Sequence, residues 1–319
     1  MISVAMCTYN GEKYIEEQLL SIINQSYQPD EIIICDDCST DNTVQKAESI
    51  LSHWNGSNKI LKNEHNLGFK KNFQKAISLC HGDIIFLSDQ DDVWNLEKIE
   101  IMMQEFQKDS TISLVFHDAE LVDEHLQSLQ PSFWRILNFD PESFLKQDYT
   151  RLLAGNVVQG SAAAFRRNIF EKAYPFPDEA VHDEWLGLVA CLFGKIVPLS
   201  NQLMKYRQGH NQIGGEKRSF KDGTQLWIQN ARYSSQKHLV TLKNRFKNLR
   251  ALQERYPEES VGVFGNVFNQ YLRFFKRRVE LITHRQGHIR VNSYFRYCVG
   301  KKQAIRQSMK DIFSMLLIK

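Results

Sequence analysis

Asp83-Ile84-Ile85-Phe86-Leu87-Ser88-Asp89-Gln90-Asp91-Asp92-Val93-Trp94 is an apolar run that breaks off into three carboxylates within four positions. Residues 84–87 have the length and composition of a buried strand. Asp89, Asp91 and Asp92 therefore fall just past its C-terminal end, and in an open α/β sheet that edge is where ligands bind. Three close carboxylates repel one another and add nothing to a core, whereas oxygen donors at this density suit a hard divalent cation, Mg2+ or Mn2+. The competing reading is an acidic, solvated turn that caps a helix starting near Asn95. For Asp92 alone the cap is the reading taken, because carboxylates stabilise helix N-termini.

The chain on either side supports a sheet at this point. Residues 2–6 read as a short apolar strand, after which Thr8-Tyr9-Asn10-Gly11 turns into a helix over residues 12–24, with Tyr14, Ile15, Leu19, Ile22 and Ile23 on one stripe. A second strand is expected at 31–35, followed by the turn Asp36-Asp37-Cys38-Ser39-Thr40-Asp41 and a helix over 42–53. An edge strand at 59–62 precedes Asn66-Leu67-Gly68, which opens a helix through residue 79, and His81-Gly82 stops it. Strands separated by helical patterns of this length predict βαβ units, hence an α/β fold with a mostly parallel sheet. Further on, strands are expected at 112–116, 118–123, 196–199 and 203–207, and a loop with one or two short helices across 126–150. Residues 157–165 read as strands passing close to a ligand through Gly160-Ser161-Ala162, and residues 181–194 as an amphipathic helix.

At 319 residues, 42% hydrophobic and 24% charged, the chain has the composition of a globular protein with a sizeable core, one large domain carrying an appendage or two domains. No stretch has the eighteen or so apolar residues of a spanning helix. The start lacks a basic n-region and cleavage site, and the six cysteines (7, 35, 38, 80, 191, 298) form no disulfide framework, so a reducing cytoplasm is expected. Cys35 and Cys38 have the spacing of a redox dithiol but no second pair that would complete a zinc site.

Charge is unevenly spread. Residues 1–215 carry 18 Lys and Arg against 30 Asp and Glu, and residues 216–319 carry 22 against 7. An acidic body with a basic tail points to an anionic partner for the tail. From residue 216 the pattern is helical only, with Leu, Phe and Trp interleaved with Lys and Arg over 225–251 and 261–282, and an apolar end at 312–319. Such helices suit the surface of an anionic membrane, or pack on the body through their apolar faces and leave a solvated basic exterior, two readings that are compatible. No nucleic-acid-binding motif is present, and a nucleic-acid partner is not expected.

Five segments in order, Cys7-Thr8-Tyr9-Asn10-Gly11-Glu12, Gln18 with Ser21-Ile22 and Gln25-Ser26-Tyr27, Asp36 to Asp41, Asn66-Leu67-Gly68 and Ser88 to Trp94, together resemble family 2 glycosyltransferases over residues 1–215. The resemblance implies a GT-A fold with a Rossmann-like sheet, a nucleotide-sugar donor, a divalent metal and inverting transfer to an acceptor hydroxyl. The basic region 216–319 would then be a helical extension that associates with a membrane or a partner.

Thr8, Tyr9 and Asn10 follow the first strand, where backbone groups and the Tyr9 ring can meet a pyrimidine. Asp37 follows the second and can accept from the base's N3-H, which is its role by resemblance. Glu12 reads equally as a donor contact or as the cap of its own helix, and Asp36 as a structural turn residue. Lys70 and Lys71 open the helix after Gly68; either meets donor phosphate or is a solvated surface lysine. By resemblance Asp89 contacts the ribose region, Gln90 takes the variable position and Asp91 binds the metal. His182-Asp183-Glu184-Trp185 resembles the acidic pair at the start of the family's acceptor-side helix, which makes Asp183 the catalytic base, with His182 as the rival and Glu184 orienting the acceptor. Tyr206-Arg207-Gln208-Gly209-His210 is similar to the end of the family core, with His210 a second metal ligand or a diphosphate contact.

The combination looks like the bacterial rhamnosyltransferase branch. That implies a donor such as dTDP-rhamnose or a UDP-hexose, and a lipid-linked saccharide acceptor for O-antigen or capsule synthesis at the inner face of the cell membrane. The rival is a nucleotide-binding assembly protein that has lost catalysis, against which stands the full set of carboxylates. Cys38, where glycine is common, departs from the family pattern, as does the spacing between Gln208 and His210.

Overall fold

The computed structural model describes residues 1–130, 132–208 and 224–284. The chain divides into two compact units, Met1–Glu216 and Lys217–Lys319.

The first unit opens with β1 (Ile2–Thr8), α1 (Ile15–Ile23), β2 (Glu31–Asp36), α2 (Thr43–Leu51), β3 (Ser57–Lys62), α3 (Phe69–Ser78) and β4 (Ile84–Ser88). β1 pairs in parallel with β2 on one side and β4 on the other, and β3 lies outside β2. Every residue of β2 and β4 is buried, as expected of strands covered on both faces, while β3 at the edge is largely exposed. α1 buries Ile15, Leu19 and Ile22, the four- and three-residue steps that put one helical stripe against the sheet.

The second half of the sheet comes from β5 (Val93–Trp94), β6 (Ile112–Val122), β7 (Ser128–Gln130), β8 (Ala163–Arg166) and β9 (Lys195–Arg207). The full order is β3-β2-β1-β4-β8-β6-β9-β5, with β7 beside β6. The short β8 runs antiparallel to β4 and β6, whereas β6 and β9 are parallel, so the sheet is mostly parallel as expected.

Two pairs of expected strands prove to be single ones. β6 runs through 112–122 and β9 through 195–207, with a register shift between His117 and Asp118 that breaks the apolar pattern inside β6. The polar residues there are held locally, since Asp118 Oδ1 accepts from Trp134 N (2.9 Å) and Oδ2 from Ser132 Oγ (2.6 Å). The helices α4 (Lys98–Lys108), α5 (Phe133–Leu137), α6 (Glu142–Leu145), α7 (Thr150–Ala154), α8 (Arg167–Ala173) and α9 (His182–Phe193) complete the unit. α5 to α7 lack a helical stripe because their anchor is an aromatic knot, Trp134, Phe139 and Phe144 around Phe116, rather than a periodic face. Residues 160–162 form a single 3-10 turn ahead of β8, in place of a strand.

The second unit holds α10 (Thr224–Arg255), α11 (Pro257–Phe264) and α12 (Asn266–His284). α10 and α12 pack against each other, with Leu242, Leu249 and Leu252 of the first and Phe268, Leu272 and Phe275 of the second buried. These apolar residues face one another between the two helices, while Val240 and Val261 stay exposed. Among the described residues no helix is long and apolar enough to cross a membrane. Residues 312–319 lie outside the described residues.

Candidate active site

β1, β2 and β4 end side by side at Thr8, Asp36 and Ser88, and their following loops build the sheet's C-terminal edge. Thr8 Oγ1 donates to Asp36 Oδ1 (2.8 Å), and Asp36 Oδ2 accepts from Ser39 N (2.8 Å), so Asp36 holds the turn. The next carboxylate, Asp37, is buried and reaches across to the start of α3. Its Oδ1 accepts from Leu67 N (2.7 Å) and Asn63 Nδ2 (2.8 Å), and its Oδ2 from Gly68 N (2.8 Å). Gly68 has φ 75°, a left-handed conformation that glycine adopts without strain. Cys38 has φ 70°, a left-handed conformation that a glycine would adopt without strain, and its Sγ lies 3.1 Å from the Asn63 carbonyl.

Asn10 binds the second loop through its Oδ1, which accepts from Thr40 N (2.9 Å), and Tyr9 leaves its ring 51% exposed at the edge. Glu12 does not cap its own helix. Its Oε2 accepts from Asn42 N and Nδ2, both at 3.0 Å, so it ties down the start of α2.

The acidic loop is fastened on both sides. Gln90 Oε1 accepts from Tyr9 N (2.8 Å) and its Nε2 donates to Tyr9 O (3.0 Å), which locks the loop to the end of β1. Asp92 is fully buried and is not a helix cap, since Val93 and Trp94 form β5 and α4 begins only at Lys98. Its Oδ1 accepts from Arg207 N (3.2 Å), and its Oδ2 has no hydrogen-bond partner. Arg207, itself buried, donates to Asp91 O (2.8 Å), Glu124 O (2.7 Å) and Glu17 Oε2 (2.6 Å), with its guanidinium 4.5 Å from the Tyr14 ring centroid.

Beneath the loop lies Lys98, fully buried, 2.5 Å from Ser161 O and 3.7 Å from the Trp94 ring centroid. Burial and the charge of Asp91 push the Asp89 carboxyl up to about 7. Burial likewise holds Asp92 well above the usual carboxylate range, and lowers Lys98 against the attraction of Asp92 and Asp89. Lys98 carried no signal in the sequence beyond a lysine next to an apolar stripe, and Arg207 was visible only as part of a resemblance.

The third component is the start of α9. Asp183 is 9% exposed, and its carboxylate accepts from Asn156 Nδ2 (3.0 Å), Glu184 N (2.6 Å) and Gly160 N (3.1 Å). Burial pushes its pKa up to about 7, with smaller contributions that include the charges of Glu184 and Asp89. The charge of Asp89 acts on Asp183, so the acidic loop and the start of α9 face one electrostatic region. His182 stacks on Phe73 with centroids 3.9 Å apart, and burial pushes its pKa down to about 3. A Cβ on Gly160 would lie 2.8 Å from His182 Nε2, so this position has room only for glycine. The turn at 160–162 thus fits closely against His182 and Asp183.

Among the described residues no three His, Cys, Asp or Glu side chains converge as a metal cluster. Mg2+ and related ions are commonly held by one or two carboxylates, with substrate phosphates and water completing the shell. The half-buried Asp91 and the unpartnered Oδ2 of Asp92 have the donor chemistry for that arrangement. His210, expected as a second ligand, lies outside the described residues. Lys70 and Lys71 point away from this cluster: Lys70 Nζ donates to Glu179 O (2.8 Å), and Lys71 Nζ is 3.9 Å from Asp178 Oδ1.

The profile of "Glycosyl transferase family 2" matches residues 3–173. The chain belongs to this family. It is a glycosyltransferase, and it is 32% identical over 226 residues to the dTDP-rhamnosyl transferase RfbG of Shigella flexneri, covering 68% of this chain and 75% of the relative. A second relative is the UDP-Glc:alpha-D-GlcNAc-diphosphoundecaprenol beta-1,3-glucosyltransferase WfgD of Escherichia coli, 25% identical over 228 residues, 71% of this chain and 84% of the relative.

Solved structures show the same fold. TarS 1–349 of S. aureus in complex with UDP-GlcNAc superposes with a TM-score of 0.59 at 17% identity, over 99% of this chain and 90% of that one. The mannosyltransferase PcManGT of Pyrobaculum calidifontis, in complex with GDP-Man and Mn2+, gives 0.53 at 16% identity, over 99% and 85%. The glycosyltransferase thus has the expected GT-A fold, a mixed α/β unit with a mostly parallel sheet.

Proposed function

We propose that this glycosyltransferase inverts configuration as it moves a sugar from a nucleoside-diphosphate donor to a hydroxyl of a lipid-linked saccharide in cell-surface polysaccharide synthesis. The observation that carries the reading is Asp183: a buried carboxylate, oriented by Asn156 and Gly160, with a pKa brought to about 7 and the charge of Asp89 within reach. A general base acts best when its pKa lies near the working pH. His182, pushed down to about 3, is a much weaker proton acceptor.

In the reaction Asp183 takes the proton of the acceptor hydroxyl. The oxygen attacks the anomeric carbon from the face opposite the diphosphate, and the carbon–oxygen bond to the diphosphate breaks with its electron pair leaving on the nucleotide. The exposed Tyr9 ring stacks on the base, alongside Thr8 and Asn10. An ionised carboxylate offers about four lone-pair sites, so Asp37, which accepts three hydrogen bonds, keeps one for the base N3-H. Asp89 meets the ribose, and Gln90 and Glu12 act by holding the Tyr9 backbone and the start of α2. Asp91 would hold a divalent ion, Mg2+ or Mn2+, which neutralises charge on the departing diphosphate.

Donors of the dTDP-rhamnose or UDP-hexose class fit the names of RfbG and WfgD, and the diphospholipid acceptor named for WfgD fits a lipid-linked substrate. The basic second unit supports a place at the inner membrane face. Turnover of a panel of dTDP-, UDP- and GDP-sugars with Mn2+ tests the reading. Asp183→Ala should lower kcat by roughly 10² to 10⁴-fold, and Asp91→Ala should abolish metal-dependent binding of the nucleotide. Wild-type turnover in both variants contradicts the mechanism.

A further inference from the structure

A cavity of about 490 Å3 lies between α3 and residues 174–180, outside the cluster of carboxylates. Its α3 wall carries Lys70, Lys71 and Lys75, and its other wall carries Tyr174, Phe176 and Asp178. Lys71 and Lys75 are four residues apart and so share a helix face. The walls are tied together: Lys70 Nζ donates to Glu179 O (2.8 Å), and Gln74 Oε1 accepts from Phe176 N (2.9 Å). Lys75 Nζ is held by Asn63 Oδ1 (2.8 Å). Lys71 faces Asp178 at 3.9 Å with both side chains well exposed, a pairing of little energy, so its ammonium is available to a stronger anion. Three lysines and one aspartate line the cavity, beside Tyr174, which is 52% exposed.

The cavity's position says which anion. It opens beside Leu67, whose amide is bonded to Asp37, and beside Ala180, just ahead of His182-Asp183. From there it follows α3 to Ser78, roughly 15 Å at 1.5 Å per residue, away from the end of the sheet where a nucleotide sits. A donor confined to the sheet edge does not extend along that length. A ligand whose reacting hydroxyl is at Asp183, and whose remainder trails outward, does.

We infer that this cavity is the subsite for a phosphate or diphosphate group carried by the acceptor, with Lys71 and Lys75 as its cationic contacts and Tyr174 and Phe176 as the wall for the atoms on either side of it. Lys71 thereby serves the acceptor and not the donor. The inference rests on the proposed transfer to a lipid-linked saccharide, and it adds the part of that acceptor which is recognised.

The test is calorimetry on the full chain, saturated with nucleoside diphosphate and Mn2+, using two probes: a saccharide on a short prenyl diphosphate, and the same saccharide as an uncharged alkyl glycoside. The wild type should bind the diphosphate probe more tightly. Lys71→Glu should weaken that probe by about tenfold, the loss of one charge-assisted contact, while affinity for the alkyl glycoside and for the nucleotide stays within about twofold. Lys71→Gln should fall between. Equal affinity of the wild type for both probes, or an unchanged diphosphate affinity in Lys71→Glu, overturns the subsite. A loss of nucleotide affinity in Lys71→Glu also overturns it, because the cavity then belongs to the donor. Binding is read without turnover, so a wild type that selects the diphosphate probe but transfers no sugar would reject the proposed reaction and leave the subsite standing.

Discussion

Asp183 combines two properties that oppose each other: burial that makes it a good base and a charge that burial makes costly. Its pKa is raised in the folded protein, to about 7 from 3.8. A raised carboxyl contributes stability at low pH that is lost as the pH rises through the folded value. Asp183→Asn, neutral at every pH, should therefore match the wild type in urea denaturation near pH 4 and exceed it near pH 8, while losing activity. Equal midpoints at both values would show that the carboxylate is not strained by its site. The places of Asp37 and Asp89 past strand ends and of Asp183 at a helix start were legible in the sequence, while the roles proposed for them rest on the family resemblance. Asp92 was not, because a carboxylate a few residues ahead of a helix looks like a cap, and only the pairing of β5 with β9 shows that it is buried. Lys98 was equally hidden, since nothing local to it announces that Asp89 and Asp92 will surround it.

At the scale of elements, the acidic loop is held from two sides of the sheet. Gln90 joins it to β1, and Arg207 at the end of β9 joins it to α1 and to the segment after β6 through Glu17 and Glu124. Arg207→Met would leave the Asp91 and Glu124 carbonyls and the Glu17 carboxylate without this donor. Stability should fall by about 1–3 kcal/mol, the scale of leaving buried acceptors without their donor, and nucleotide affinity should fall with it. Chemical denaturation and nucleotide titration check both effects; a variant as stable as the wild type would remove the clamp from the account. The βαβ half of the sheet was readable because both faces of its strands are apolar and its helices periodic. The later half was less so: the buried polar pair His117-Asp118 split β6 in the pattern, and α5 to α7 are fixed by aromatic contacts that have no sequence period.

Across the whole molecule the charge is divided between an acidic first unit and a basic second one, a division legible in the order of the residues alone. In the described part of the tail, Leu242, Leu249 and Leu252 of α10 pack against Phe268, Leu272 and Phe275 of α12 and form a core of their own. The exposed Arg273, Lys276 and Arg277 remain outward, the first two lining a cleft of about 980 Å3 with Arg250. Membrane contact should accordingly be electrostatic: flotation with anionic vesicles that falls as salt rises and is reduced by charge reversal at these three residues. Salt-independent flotation would contradict it. The chemistry itself is tested most directly by the pH dependence of kcat/KM for sugar transfer, which reports the free enzyme's essential base. An acid limb is expected, centred near pH 7, the value to which Asp183 is pushed, and it should disappear in Asp183→Asn together with most of the rate. A rate that stays level as the pH falls well below 7, or an Asp183→Asn enzyme that keeps the wild-type profile, would contradict it.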